Sequence, residues 1–148
     1  MLCGEKLVGN STLWGVPINS KETIDAVLSL KTWAVVGLSS NPDRAAYGVA
    51  RLLQDKGHHI IPVHPKAETV HGETAYTTLS EIPVAVDVVD CFVNSQLVGL
   101  VVDEAIAIGA KAVWLQLDVI DEEAIARAQA AGLLTVMDRC PAIEYRAR

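Results

Sequence analysis

The chain has 148 residues, a formal net charge of −6, 51% hydrophobic residues and only 5% aromatic ones. That length suits one domain with a sizeable core, and the acidic balance, with no basic stripe, argues against a general nucleic-acid binder. No apolar run is long enough to predict a membrane span, so any affinity for an anion must come from a local site.

Residues 1–19 carry weak periodicity and several turn formers (Gly4, Gly9, Asn10, Gly15, Pro17) and are expected to form an N-terminal arm before a single domain over 20–148. Ser20 is placed to cap a short helix over Glu22 to Leu30, with Ile24, Val27 and Leu28 on one face. A strand is predicted at Thr32 to Leu38, then a helix from Arg44 to Lys56 with Val49, Leu52 and Leu53 inward and Gly57 as its left-handed stop. His59 to Val63 reads as the second strand, followed by a long connection with a helical turn at Thr78 to Glu81. The third strand is Val86 to Phe92. The next helix spans Gln96 to Ile108, with Leu97, Leu100, Val101, Ala105 and Ile108 facing inward and Gly109 ending it. A fourth strand at Ala112 to Leu117, a helix over Glu122 to Ala131 capped by Asp121 and stopped by Gly132, a fifth strand at Leu134 to Met137 and a short helix from Pro141 complete the chain.

Strands rich in Val, Ile and Leu that alternate with helices predict an α/β fold: a Rossmann-like, doubly wound parallel sheet of about five strands in three layers. In such sheets ligands sit beyond the carboxyl ends of the strands, here Gly37 to Asn41, His64 to Lys66, Val93 to Ser95 and Gln116 to Asp118. The first of these is the most informative. An apolar run ends at Gly37, and Leu38, Ser39, Ser40, Asn41, Pro42 and Asp43 lead into a helix. A helix that opens on such a turn aims free N–H groups and the positive end of its dipole at one spot, which suits a phosphate. Only the first glycine of the G-x-G-x-x-G dinucleotide fingerprint is present, and His64, Pro65 and Lys66 stand where NAD binding wants an acid. Cations at Arg44 and Lys66 instead suit a ligand with an extra phosphate on its adenosine ribose, as NADP and coenzyme A both have, and the pattern alone leaves those two open.

The blocks G-L-S-S-N-P-D-R-A-A-Y, I-P-V-H-P-K, D-V-V-D-C-F, D-E-A-I-A-I-G-A-K-A-V-W-L-Q and V-M-D-R-C-P-A-I-E occur in that order over about Lys21 to Glu144. In them the chain resembles the small stand-alone coenzyme A-binding proteins of the YccU type, whose domain is similar to the nucleotide-binding domain of the succinyl-CoA synthetase alpha subunit. The resemblance implies a Rossmann-like domain that binds coenzyme A or an acyl-CoA. It implies that the Gly37, Leu38, Ser39 and Ser40 turn holds the pyrophosphate, that Arg44 and Lys66 face phosphates, and that Pro65 shapes the adenosine pocket, with Asn41 and His64 also among the expected binding residues. It places Val93 and Gln116 on the pantetheine side. The chain departs from the resembled pattern at Val93, where many relatives carry Arg, and at His64, where many carry Asn or Ser.

Plainer roles stand beside these. Gly37 could serve chain reversal alone, Ser39 and Ser40 could cap the helix, and Lys66 could be a solvated loop lysine. Tyr47, Trp33 and Trp114 read as core, and Cys91 and Cys140 as buried small hydrophobes. Asp87 and Asp90 interrupt an apolar strand, and a structural role, capping a loop or meeting Arg139, is favoured over catalysis. Three cysteines (Cys3, Cys91, Cys140) with no metal spacing fit free thiols in a reducing compartment. No basic region precedes a long apolar stretch at the N-terminus, so the cytoplasm is the expected location. No nucleophile elbow or metal cluster is visible. The expected function is therefore ligand binding without chemistry, with a homo-oligomer or a partner enzyme compatible with it. The alternatives are an NADP-linked oxidoreductase component and an acyl-CoA ligase-related subunit that needs a partner. A minor alternative is a cysteine that traps coenzyme A as a mixed disulfide.

Overall fold

The computed structural model describes residues 18–148; the expected arm, apart from Ile18 and Asn19, lies outside the described residues. Five parallel strands run β1 (Thr32–Val36), β2 (His59–Val63), β3 (Val88–Cys91), β4 (Ala112–Leu115) and β5 (Leu134–Val136). Their order in the sheet is β2-β1-β3-β4-β5. Helices α1 (Lys21–Leu28), α2 (Ala45–Asp55), α3 (Ser95–Ala107), α4 (Glu122–Ala130) and α5 (Pro141–Arg146) link and flank them, with a single 3-10 turn at Leu79–Glu81. This is the doubly wound three-layer architecture expected from the alternating pattern. The chain runs outward one way from β1 to β2 and then the other way through β3, β4 and β5, so its topological switch point lies between β1 and β3.

Side chains alternate across the sheet and build a core on each face. Trp33, Val35, Val88 and Trp114 pack under α1, α2 and α5, whereas Ala34, Val89, Val113 and Leu115 pack under α3 and α4. Trp33 and Trp114 are fully buried, and each satisfies its indole N–H on a carbonyl: Trp33 on Leu30 at 2.8 Å and Trp114 on Arg139 at 2.9 Å. Cys91 and Cys140 are buried and free, as expected. Ser20 and Asp121 cap their helices, accepting from the N–H groups of Thr23 and Ala124, each at 3.0 Å. Gly57, Gly109 and Gly132 take positive φ just past α2, α3 and α4, in the stop role assigned to them. Asn19 belongs structurally to the sheet edge. Its amide donates to the Met137 carbonyl and accepts from the Met137 N–H, both at 2.8 Å, in the manner of a missing strand partner.

The expected inner stripe of α3 is a correction. Val98, Val102 and Ala105 face the core, while Leu97 and Leu100 are 51% and 71% exposed. Only Ala105 of the expected stripe is fully buried, with Val101 and Ile108 partly so at the margin. The segment is apolar on nearly every side, so periodicity could not choose its face. Leu52 of α2 is likewise only half-buried, and Ala46 and Ala50 complete the inner face with Val49 and Leu53. No described helix is long and apolar enough to cross a membrane.

Candidate functional site

At the switch point, β1 leaves the sheet through Gly37. Its N–H donates to the Val63 carbonyl at 2.8 Å, while the Phe92 N–H donates to the Val36 carbonyl at 2.9 Å, so the ends of β2, β1 and β3 are stitched together. Gly37 has φ +96°, and a Cβ there would stand 2.6 Å from the Phe92 carbonyl oxygen. Only glycine fits, on backbone conformation and on space alike. Leu38 then turns its side chain fully into the core, which anchors the turn and leaves Ser39 and Ser40 free to face outward.

The turn continues as a local hydrogen-bonded fold. Ser39 Oγ accepts from the Asn41 N–H at 3.3 Å, and Asn41 Oδ1 accepts from the Asp43 N–H at 2.9 Å. Neither serine caps α2: the residue at the cap position is Arg44, and it makes no side-chain cap bond. The first helical N–H groups have no partner within a helix, and Ala45 and Ala46, which open α2, line the cleft.

The opposite wall comes from the connection after β2. The His64 N–H donates to Tyr76 at 3.0 Å, and a tight turn closes with Ala67 N–H on the His64 carbonyl at 2.8 Å. His64 Nδ1 accepts from the Lys66 N–H at 3.1 Å. Ala67 sits at φ +49°, a conformation that costs a non-glycine residue about 1–2 kcal/mol, just before Glu68 reaches the turn after β1. Glu68 follows and accepts from Ser40 Oγ at 2.8 Å, across 28 residues of sequence.

Between these walls lies a cleft of about 750 Å³, in the range of small-molecule sites. It brings together nine of the eleven expected site residues: Gly37, Ser39, Ser40, Asn41, Arg44, His64, Pro65, Lys66 and Val93. Leu38 contributes only backbone to the turn, its side chain being buried. Gln116 lies beyond the end of β4, 7% exposed, with its Oε1 buried and without a hydrogen-bond partner. The sequence reading missed Ala45, Ala46, Glu68 and Phe92 in the lining. The helix-start logic already implied the two alanines. Glu68 is an acid near the end of β2, where one was sought, displaced two positions past Lys66 by the turn.

The other titratable groups have structural work. His58 packs against Trp33 in a tilted ring contact, centroids 5.2 Å apart, and bonds the Tyr145 hydroxyl, and burial pushes its pKa below the ordinary histidine value. His59 stands 3.5 Å from Glu73, and His71 bonds the Tyr47 carbonyl at 2.8 Å and packs tilted against that ring. Asp87 accepts from the Thr32 N–H at 3.0 Å and lies 3.5 Å from Lys111. Its role is structural, with Lys111 as the cation in place of Arg139, which donates to the Asp138 carbonyl. Asp90 is fully buried in β3 and neither oxygen has a partner, so desolvation pushes its carboxyl well above the usual carboxylate range. Burial, with the neighbouring Asp90 adding to it, likewise pushes the Cys91 thiol up, away from reactivity. Among the described residues no group of three His, Cys, Asp or Glu side chains is placed to hold a metal.

A doubly wound sheet with a cationic cleft and an uncapped helix start at its switch point is a nucleotide-type binding domain. More narrowly, the model of the CoA binding domain family matches residues 31–146, and the chain belongs to that family. It is 36% identical over 122 residues to the uncharacterized protein YneT of Bacillus subtilis, covering 82% of this chain and 90% of that one. Among solved structures it is similar to a hypothetical protein from Pyrococcus horikoshii, with 35% identity, TM-score 0.82, and 95% and 98% of the two chains covered. It is also similar to a Thermus thermophilus protein, cell-free ID.343, with 32% identity, TM-score 0.80, and 85% and 96% covered.

Proposed function

We propose that this chain binds coenzyme A or an acyl-CoA in the switch-point cleft and performs no chemistry on it. The observation that carries this is the start of α2: an uncapped helix N-terminus, with Arg44 at the cap position, opening into a large cleft in a chain of the CoA-binding family. The diphosphate would lie against the Gly37 to Asn41 turn and the amides of Ala45 and Ala46, where the helix dipole and free N–H groups favour an anion. Arg44 and Lys66 would supply countercharge, His64 and Pro65 would flank the adenosine, and Val93, with Gln116 beyond it, would face the pantetheine arm.

Binding without catalysis is supported by how the reactive groups are used. Each histidine is held in a local contact, with Trp33 and Tyr145, Glu73, the Lys66 N–H or Tyr47, and both described cysteines are buried. That arrangement speaks against a phosphohistidine relay and against a thiol trap. The function is tested by calorimetric titration with coenzyme A, acetyl-CoA, NADP and NAD. Saturable heat with the two coenzyme A forms, and none with the dinucleotides at high micromolar concentration, is the expected result. Silence with coenzyme A, or NADP binding that coenzyme A fails to compete, would overturn it.

A further inference from the structure

One contact in the cleft works against the ligand proposed for it. Ser40, in the phosphate turn, donates its hydroxyl hydrogen to Glu68 at 2.8 Å, and Glu68 lines the same cleft as Arg44 and Lys66. A diphosphate at the turn would compete for that hydroxyl, and its oxygens would meet like-charge repulsion from the carboxylate beside it. Both side chains are exposed, and Ala67, at φ +49° in the turn closed on the His64 carbonyl, is the residue before Glu68. Conformations of that kind persist where the surrounding structure over-determines them, and they cluster at ligand sites.

We infer that Glu68 is an internal competitor for the anion site of this cleft: in the free protein it occupies Ser40 as a stand-in for the ligand's phosphate, and an incoming diphosphate must displace it. The inference rests on the proposed anion site at the turn. Displacement lowers affinity for every diphosphate ligand, and most for the one that brings the most negative charge to the turn. Glu68 thereby acts as a competitor for the anion site rather than as an aid to binding.

The test titrates coenzyme A, ADP and inorganic pyrophosphate into wild type, Glu68→Gln and Glu68→Ala, followed by calorimetry and by the amide resonances of Ser39 to Asn41, Ala45 and Ala46. Glu68→Gln removes the charge while keeping an acceptor for Ser40. It should tighten all three ligands, by roughly five- to tenfold for one unit charge a few ångströms from a phosphate near the surface. The gain should be largest for pyrophosphate, which brings the most negative charge to the turn, and it should shrink as salt is raised. Glu68→Ala should show at least the same gain. Unchanged or weaker coenzyme A binding in both variants would overturn the role of Glu68 and leave the coenzyme A site standing. Tighter pyrophosphate binding in Glu68→Gln, with no coenzyme A binding in any form, would keep the role of Glu68 and overturn the coenzyme A site. Silence of all three ligands in all three proteins would overturn both.

Discussion

Four helices follow strands at the carboxyl edge of the sheet; the short α5 opens on Cys140 without a side-chain cap, and the three longer ones do not begin alike. α3 opens on Asn94, whose side chain accepts from the Leu97 N–H at 3.0 Å, and α4 opens on Asp121, which accepts from Ala124 at the same distance. α2 opens on Arg44, which caps nothing and places a cation where the helix dipole is already positive. A side-chain cap contributes about 0.5–2 kcal/mol, so the start of α2 forgoes stability that its two neighbours take. It is also the helix that follows the switch-point strand and faces the large cleft. Orphan donors and an unneutralised cation are tolerable there if an anion completes them.

The carboxylates around β3 show the same contrast within a few residues. Asp87, just before the strand, is satisfied by the Thr32 N–H and by Lys111. Asp90, deep in the strand, is satisfied by nothing. The first stitches β3 to its neighbours, and the second is a polar group that the fold tolerates only by keeping it protonated.

The comparison can be broken most severely at Gly37. Gly37→Ala combines a forced positive φ with a Cβ 2.6 Å from the Phe92 carbonyl. A loss of about 3 kcal/mol is expected, a fall in Tm of roughly 6–12 °C by calorimetry. Arg44→Asp sharpens the contrast by giving α2 the cap it lacks. Stability should rise by about 1 kcal/mol in denaturant melts. Coenzyme A affinity should fall about thirtyfold as a favourable charge becomes a repulsive one. A gain in stability with binding untouched would show that the bare helix start is not kept for an anion.

Asp90→Asn addresses the second contrast through pH. An acid whose carboxyl is raised by burial binds more protons folded than unfolded once pH exceeds its ordinary value, so wild-type stability falls as pH climbs from about 4. The variant carries no such charge, so the two proteins should be nearly equal near pH 4. The variant should be the more stable toward neutrality, by a margin that grows with pH, as followed by urea melts across that range. Asp121→Ala is the smallest change: it removes a cap from α4, outside the cleft's lining, and should cost about 1 kcal/mol in the same melts while leaving coenzyme A binding unchanged.

Much of this protein is decided within a few residues of sequence at a time. Ser20 and Asp121 mark helix starts and Gly57, Gly109 and Gly132 mark helix ends, because caps and left-handed stops are local backbone chemistry that needs no distant partner. The Gly37 to Arg44 turn was legible for the same reason, and with it most of the cleft's lining. Tertiary structure alone decided which side of α3 is buried, since Leu97, Val98, Leu100, Val101 and Val102 offer apolar groups to nearly every direction and only the sheet's position selects among them. It alone decided that Asp90 would find no partner, and that Glu68 would meet Ser40 across 28 residues. Such pairings depend on where a separate strand and its following turn deliver a side chain, and spacing along the chain carries no record of that distance.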